Sequence, residues 1–100
     1  MVFADTQSFI ANLDAEPTAK VIGLVRALRV CGSEMSMPQS RSLGGGLFEL
    51  RGRGKTEVRL FYCFHRGAAI ILHGIIKKAM KIPKKEVETA RSRLRQIDAI

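Results

Sequence analysis

Cysteine, acidic residues and uninterrupted apolar stretches are all scarce in this chain of 100 residues. Its two cysteines, Cys31 and Cys63, stand in apolar settings without the spacing of a disulfide framework, so a reduced intracellular protein is expected. The longest apolar run, Gly67 to Ile76, is broken by His73 and falls far below spanning length. With no signal peptide visible, a cytoplasmic location and no membrane partner are expected. Walker-type glycine loops, nucleophile elbows and paired-carboxylate motifs are missing as well, and Gly44 to Gly46 leads into a strand pattern rather than a helix, which argues against a phosphate cradle at a helix N-terminus. Cys63, His65 and His73 lack the four-ligand spacing of structural zinc, so neither a metal nor a cofactor is expected.

What is abundant is positive charge. Seventeen Lys and Arg face nine Asp and Glu, a net charge of +8. Residues 1 to 40 hold three basic and four acidic side chains, whereas residues 41 to 100 hold fourteen and five, so the second half points to an anionic partner. A solvated cationic face and a nucleic-acid surface both fit that surplus. Ten of the seventeen are arginines, which favours bidentate phosphate contacts. The length and a hydrophobic content of 46% suit a single domain over residues 1–100 with one modest core.

Periodicity predicts an α+β fold: two N-terminal helices, an antiparallel meander of three to four strands and a C-terminal helix. Asp5, Thr6 or Ser8 caps a short first helix carrying Phe9, Ile10 and Leu13 on one face. Pro17 suits the first turn of a second helix with Val21, Leu24, Val25 and Leu28 as its stripe, Gly23 as a costly interior residue and Gly32 as its C-cap. Ser33 to Gly46 has the composition of a loop ending in a triple glycine. Strands follow at about Leu47 to Arg53, Thr56 to Phe64 and Ala68 to Ile75. Pro83 opens a last helix with Val87, Ala90, Leu94 and Ile97 inward and Lys84, Lys85, Glu88, Arg91, Arg93 and Arg95 toward water.

Because side chains alternate across a sheet, Glu49, Arg51 and Arg53 share one face of the first of these strands, and Glu57, Arg59, Phe61 and Cys63 one face of the second. A three- or five-residue loop sets Glu49 opposite Arg59 and Arg51 opposite Glu57, a complementary cluster expected on the face turned away from the main helical core. For His73 two registers stay open. A three-residue turn places it opposite Phe61 on the Arg59 face, and a two-residue Arg66-Gly67 turn places it near Leu60. Tyr62 reads as core. Arg51, Arg59, Lys77 and Lys78 converge as candidates for holding a phosphate and stabilising developing negative charge, with Glu49 as a base or an orienting partner of Arg59 and His73 as a proton carrier. Arg41, Arg53, Lys55 and Lys81 are candidate RNA contacts.

The ordered pieces LGGGLFELR, RLFYCF, ILHGIIKK and IPKKEVETARSRL, from about Ser42 to Ile97, resemble the phage-derived HigB-like toxins of the RelE/ParE superfamily. The resemblance implies a small ribonuclease of a type II toxin–antitoxin module that cuts mRNA on the ribosome without a metal and is neutralised by a cognate antitoxin, expected to be of helix-turn-helix type. It carries over to Glu49, Arg51, Arg59, His73, Lys77 and Lys78, with Arg51 and Arg59 on the phosphate and Lys77 or Lys78 assisting the proton transfers. A gyrase-poisoning toxin of the same superfamily and an inactive basic binding domain are the alternatives. The chain departs from the pattern at Ile76, where an aromatic is common, and at Ala79 and Ile82, where threonines are frequent. Relatives usually begin with a strand, for which Met1 to Ala4 offers only a stub.

Overall fold

A computed structural model describes residues 3–36 and 39–98. The elements run α1 (Ala4–Ala11), α2 (Ala15–Cys31), a single 3-10 turn (Gly32–Glu34), β1 (Ser40–Gly44), β2 (Leu47–Gly52), β3 (Val58–His65), β4 (Ala68–Ile76) and α3 (Lys84–Asp98). The strands form one antiparallel sheet in the order β1-β2-β3-β4. Short connections force this meander, since neighbouring strands have no chain to cross over with.

Helices cover both faces. Val21 and Leu28 of α2 pack with Leu50, Val58, Leu60, Tyr62 and Ile71, joined by Phe9 and Ile10 of α1. On the opposite face Ala90, Leu94 and Ile97 of α3 pack with Leu47, Phe61, Cys63, Ile70, Leu72 and Ile75. Each large aliphatic or aromatic side chain buried in this way contributes about 1.5–3 kcal/mol. Two cores on two faces explain why β3 is buried from Val58 to Cys63 without the polar alternation of a one-sided sheet. No helix among the described residues is long and apolar enough to cross a membrane.

Several expectations are corrected. The fourth strand comes from the segment read as a loop: Ser40 pairs with Leu50, Arg41 with Glu49 and Ser42 with Phe48, and the ladder resumes at Gly44 and Leu47 after a bulge. Serines and glycines hid it, because neither has a strand preference to read. The triple glycine is a tight hairpin turn, with φ of 64° at Gly45 and 86° at Gly46, values that side-chain-bearing residues adopt at a cost. The N-terminal stub falls partly on Met1 and Val2, outside the described residues. From Ala4 the chain is helix, and Phe3 donates a single backbone N–H to the sheet, to the Ile71 carbonyl at 3.4 Å, while its own carbonyl already accepts the Gln7 N–H of α1 at 2.9 Å. Asp5, Thr6 and Ser8 lie inside α1 instead of capping it, and the buried Thr6 hydroxyl reaches the Leu72 carbonyl at 3.4 Å. Arg91 and Arg93 are turned inward: Arg91 donates to the Leu43 and Gly44 carbonyls, and Arg93 to the Leu72 carbonyl and Asp5. Cys31 is exposed, while Cys63 is buried; both are free thiols.

The β2–β3 register differs by two residues from the one expected. Arg51 faces Arg59, Glu49 faces Phe61, Leu50 faces Leu60 and Gly52 faces Val58. A two-residue slip leaves every side chain on its own face, so alternation alone does not distinguish the two ladders. Phe48 set against Tyr62, with rings stacked at 5.4 Å, favours the observed one. Nor is the charged face left open, because α3 and the segment after β4 lie over it.

Both readings of His73 prove half right. Its hairpin does have the two-residue Arg66-Gly67 turn, with φ of 51° and 79°, and His65 pairs with Ala68. A bulge at Leu72 then advances the strand by one residue, so His73 pairs with Phe61 all the same. Leu72 and His73 consequently point to the same side, toward α3.

Candidate functional site

Where β2 and β3 run toward the turn that joins them, the α3 side of the sheet carries charge instead of apolar side chains. Arg51 and Arg59 are directly opposed there, an arrangement that repels unless compensated. Each arginine has a carboxylate two residues earlier in the chain, Glu49 within β2 and Glu57 just ahead of β3. Glu49 Oε1 lies 3.6 Å from Arg51 Nε, and Glu57 Oε1 lies 3.0 Å from Arg59 Nη2. Strand alternation thus supplies along each chain what the opposed residues lack across it. The Glu49–Arg59 and Arg51–Glu57 cross-strand pairs expected from the sequence are replaced by these pairs between residues two apart in the chain.

Burial makes the pairing consequential. Arg59 is 1% exposed and Glu49 3%. Arg59 also donates Nη1 to the Val58 carbonyl at 3.0 Å, so its guanidinium is fixed through two nitrogens. A buried guanidinium without its carboxylate would cost several kcal/mol, on the order of 3–5. The Glu57 carboxyl is held below its ordinary value first by the Gly54 N–H, which donates to Oε2 at 2.8 Å, and then by Arg59. Glu49 accordingly orients Arg51, whereas Glu57 orients Arg59.

Glu49, Arg51 and Arg59 line a recess of about 380 Å³ together with Arg41, Leu43, Lys77, Met80, Lys81, Ile82 and Val87. Each element brings its share for a local reason. Arg41 enters because β1 pairs it with Glu49. Lys77 enters because its N–H continues the β3–β4 ladder past Ile76, donating to the Glu57 carbonyl at 2.7 Å. Lys81 and Ile82 follow on the segment that leads to α3, and Val87 projects from the first turns of that helix. Five basic side chains (Arg41, Arg51, Arg59, Lys77 and Lys81) thus surround one acid, Glu49. The wall on the α3 side is aliphatic.

Six of the ten sequence candidates therefore meet in one place: Arg41, Glu49, Arg51, Arg59, Lys77 and Lys81. Four do not. Lys78 is exposed outside the lining, and Lys55 is exposed in the β2–β3 turn. Arg53 borders a separate shallow recess with Lys20, its Nε 3.7 Å from Glu57 Oε1. His73 stands on the correct face but in other company: its ring stacks on Phe61 at 6.1 Å, and its buried Nε2 lies 3.6 Å from Glu86 Oε1. Near it, Arg93 pairs with Asp5, whose carboxyl this bond holds below its usual range. Among the described residues no group of three or more His, Cys, Asp and Glu is placed to hold a metal ion.

Two contributors escaped sequence reading. Glu57 was recognised as charged but assigned to the wrong arginine, since the two registers have identical facing patterns. Of the apolar wall, Val87 was legible in the α3 stripe, whereas Leu43, Met80 and Ile82 carried no signal, because isolated apolar residues among serines, glycines and lysines look unremarkable.

A small α+β sandwich thus gathers five basic side chains around one carboxylate at one end of its sheet. The profile of the family described as Phage derived protein Gp49-like (DUF891) matches residues 8–95, and the chain belongs to that family, a family of RelE-like toxins. No curated protein matches the chain.

Proposed function

We propose that the chain is a HigB-like toxin of a type II toxin–antitoxin module, acting in the cytoplasm as an endoribonuclease on ribosome-bound mRNA. The observation that carries this reading is the directly opposed Arg51 and Arg59 within a recess of five cations and one acid. A volume of about 380 Å³ admits a nucleotide-sized group. Membership in a toxin family supports an antitoxin partner.

The chemistry follows from the donor set. The ribose 2′-oxygen bonds to the adjacent phosphorus while the P–O5′ bond breaks, leaving a 2′,3′-cyclic phosphate and a 5′-hydroxyl end. The 2′-hydroxyl proton departs to a base, the 5′-oxygen gains a proton, and the phosphorane between them carries extra negative charge. Arg51 and Lys77 meet that charge directly, Arg41 and Lys81 hold the flanking backbone, and the buried Arg59 contributes its field from behind. Lys77 is the lysine of the pair that lines the recess, which supports Lys77 over Lys78 for the proton transfers.

Purified protein added to a translating extract is expected to cut message at codon boundaries and to leave cyclic phosphate ends. Arg51→Ala and Lys77→Ala each lower the rate by about 10²–10³-fold, the usual loss for one transition-state donor. Intact message with wild-type protein, or equal cutting by both variants, overturns the reading.

A further inference from the structure

Glu57 lies outside the lining of the recess, yet two of the recess cations are tied to it. Its carboxylate Oε1 accepts from Arg59 Nη2 at 3.0 Å, and its main-chain carbonyl accepts the Lys77 N–H at 2.7 Å. The first bond fixes a guanidinium supplied by β3; the second fixes the point at which the chain leaves β4. We propose that Glu57 is a positioning residue for this site, the common anchor that sets the cations of β3 and of the post-β4 segment at a constant separation. The proposal rests on the nuclease reading for its kinetic consequence but not for its geometry.

Glu57 is itself held from outside the sheet. Its Oε2 accepts the Gly54 N–H at 2.8 Å, and Lys20 of α2 donates to the Arg53 carbonyl one residue earlier. Gly54 lies so close to α2 that a Cβ there would stand 2.5 Å from Glu16 Oε1 and 2.7 Å from Lys20 Nζ. A continuous line of contacts therefore runs from α2 through the β2–β3 turn to Glu57, and from Glu57 to Arg59 and Lys77. A counter-ion needed only for neutrality would require none of this bracing. The carboxyl, ordinarily ionised at neutral pH, is held lower still by the Gly54 bond and then by Arg59.

The test compares wild type with Glu57→Gln and Glu57→Asp. Nitrogen-15 NMR of the arginine side chains reads Arg59, and amide hydrogen exchange reads Lys77. With Gln, the Arg59 guanidinium resonances are expected to shift and exchange faster, while the Lys77 amide, which depends on a carbonyl left in place, keeps its protection. RNA cleavage should fall about 100-fold in kcat with KM changed less than threefold, the signature of misplaced rather than missing groups. Asp, which keeps the charge but shortens the reach, should fall between, and it carries the test if the Gln variant does not fold. Unchanged Arg59 resonances overturn the proposal, as does loss of Lys77 protection together with Arg59, which would mark a general collapse of the turn. Should wild-type protein cut no RNA, the nuclease reading fails on its own. The Arg59 side-chain resonances and the Lys77 amide protection, neither of which needs turnover, still decide the role of Glu57.

Discussion

Arg59 and Gly74 show how single residues set the terms of this fold. Arg59 sits on the central strand as a fully buried charge, tolerable only because Glu57 and the Val58 carbonyl take up its donors. Gly74, opposite Leu60 on β4, does the reverse by leaving room. A Cβ there would stand 2.8 Å from Leu60 Cδ2 and 2.8 Å from the Phe9 ring, so the glycine is what lets α1 lie against the sheet. Gly74→Ala is expected to destabilise the protein by about 1–3 kcal/mol through overpacking, although alanine is the better residue for backbone entropy. Chemical denaturation checks this, and a variant as stable as wild type would show that Phe9 moves aside at no cost.

At the scale of elements, the helices were the most legible part of the sequence. Val21 and Leu28 of α2, and Ala90, Leu94 and Ile97 of α3, are buried at the spacings the stripe predicted. β2, β3 and β4 were also found within two residues at each end, since Gly54 and Gly67 punctuate them. β1 was not legible, because Ser40 to Gly44 has no apolar alternation and gains its place from contacts distant in sequence. Ser40 reaches the Tyr62 hydroxyl at 2.5 Å, and Arg91 of α3 donates to the Leu43 and Gly44 carbonyls at 2.8 and 3.1 Å. The recess was half legible for the same reason: residue types at charged positions were plain, but the two-residue choice of register that opposes Arg51 to Arg59 depends on packing between Phe48 and Tyr62. Arg91→Ala is expected to speed amide exchange in β1 and at the glycine turn by roughly tenfold, in line with about 1–1.5 kcal/mol for losing those bonds, while β3 exchanges as before.

For the whole molecule, ionisation sets a pH window. Glu57 and Asp5 have carboxyls held below 4.5 and 3.8, the first chiefly by the Gly54 N–H and the second by Arg93. Their contribution is present above those ordinary values and is lost as pH falls through the lower values of the folded state. Tyr62 and Cys63 are pushed above 10.0 and 9.0 by burial. Their neutral forms are favoured by folding, so that contribution is complete below the ordinary values and fades as pH rises through the folded ones. Thermal melts from pH 2 to 12 should therefore show a plateau bounded near 4 and 9, with Cys63→Ala moving the alkaline edge upward toward the range of Tyr62; an edge that stays put would mean the thiol is not what titrates. The bulge at Leu72 also acts on the molecule as a whole. A sheet counts in twos, and one inserted residue changes the parity of everything after it. Even-numbered Ile70 and Leu72 and odd-numbered His73 and Ile75 all reach α3, so one strand serves the same face in two phases. Deleting Leu72 would restore a regular ladder and leave the Phe61–His73 and Arg59–Ile75 pairs and the Lys77–Glu57 bond in step, so its expected cost is one buried side chain lost from the α3 core, read by chemical denaturation, with the recess intact.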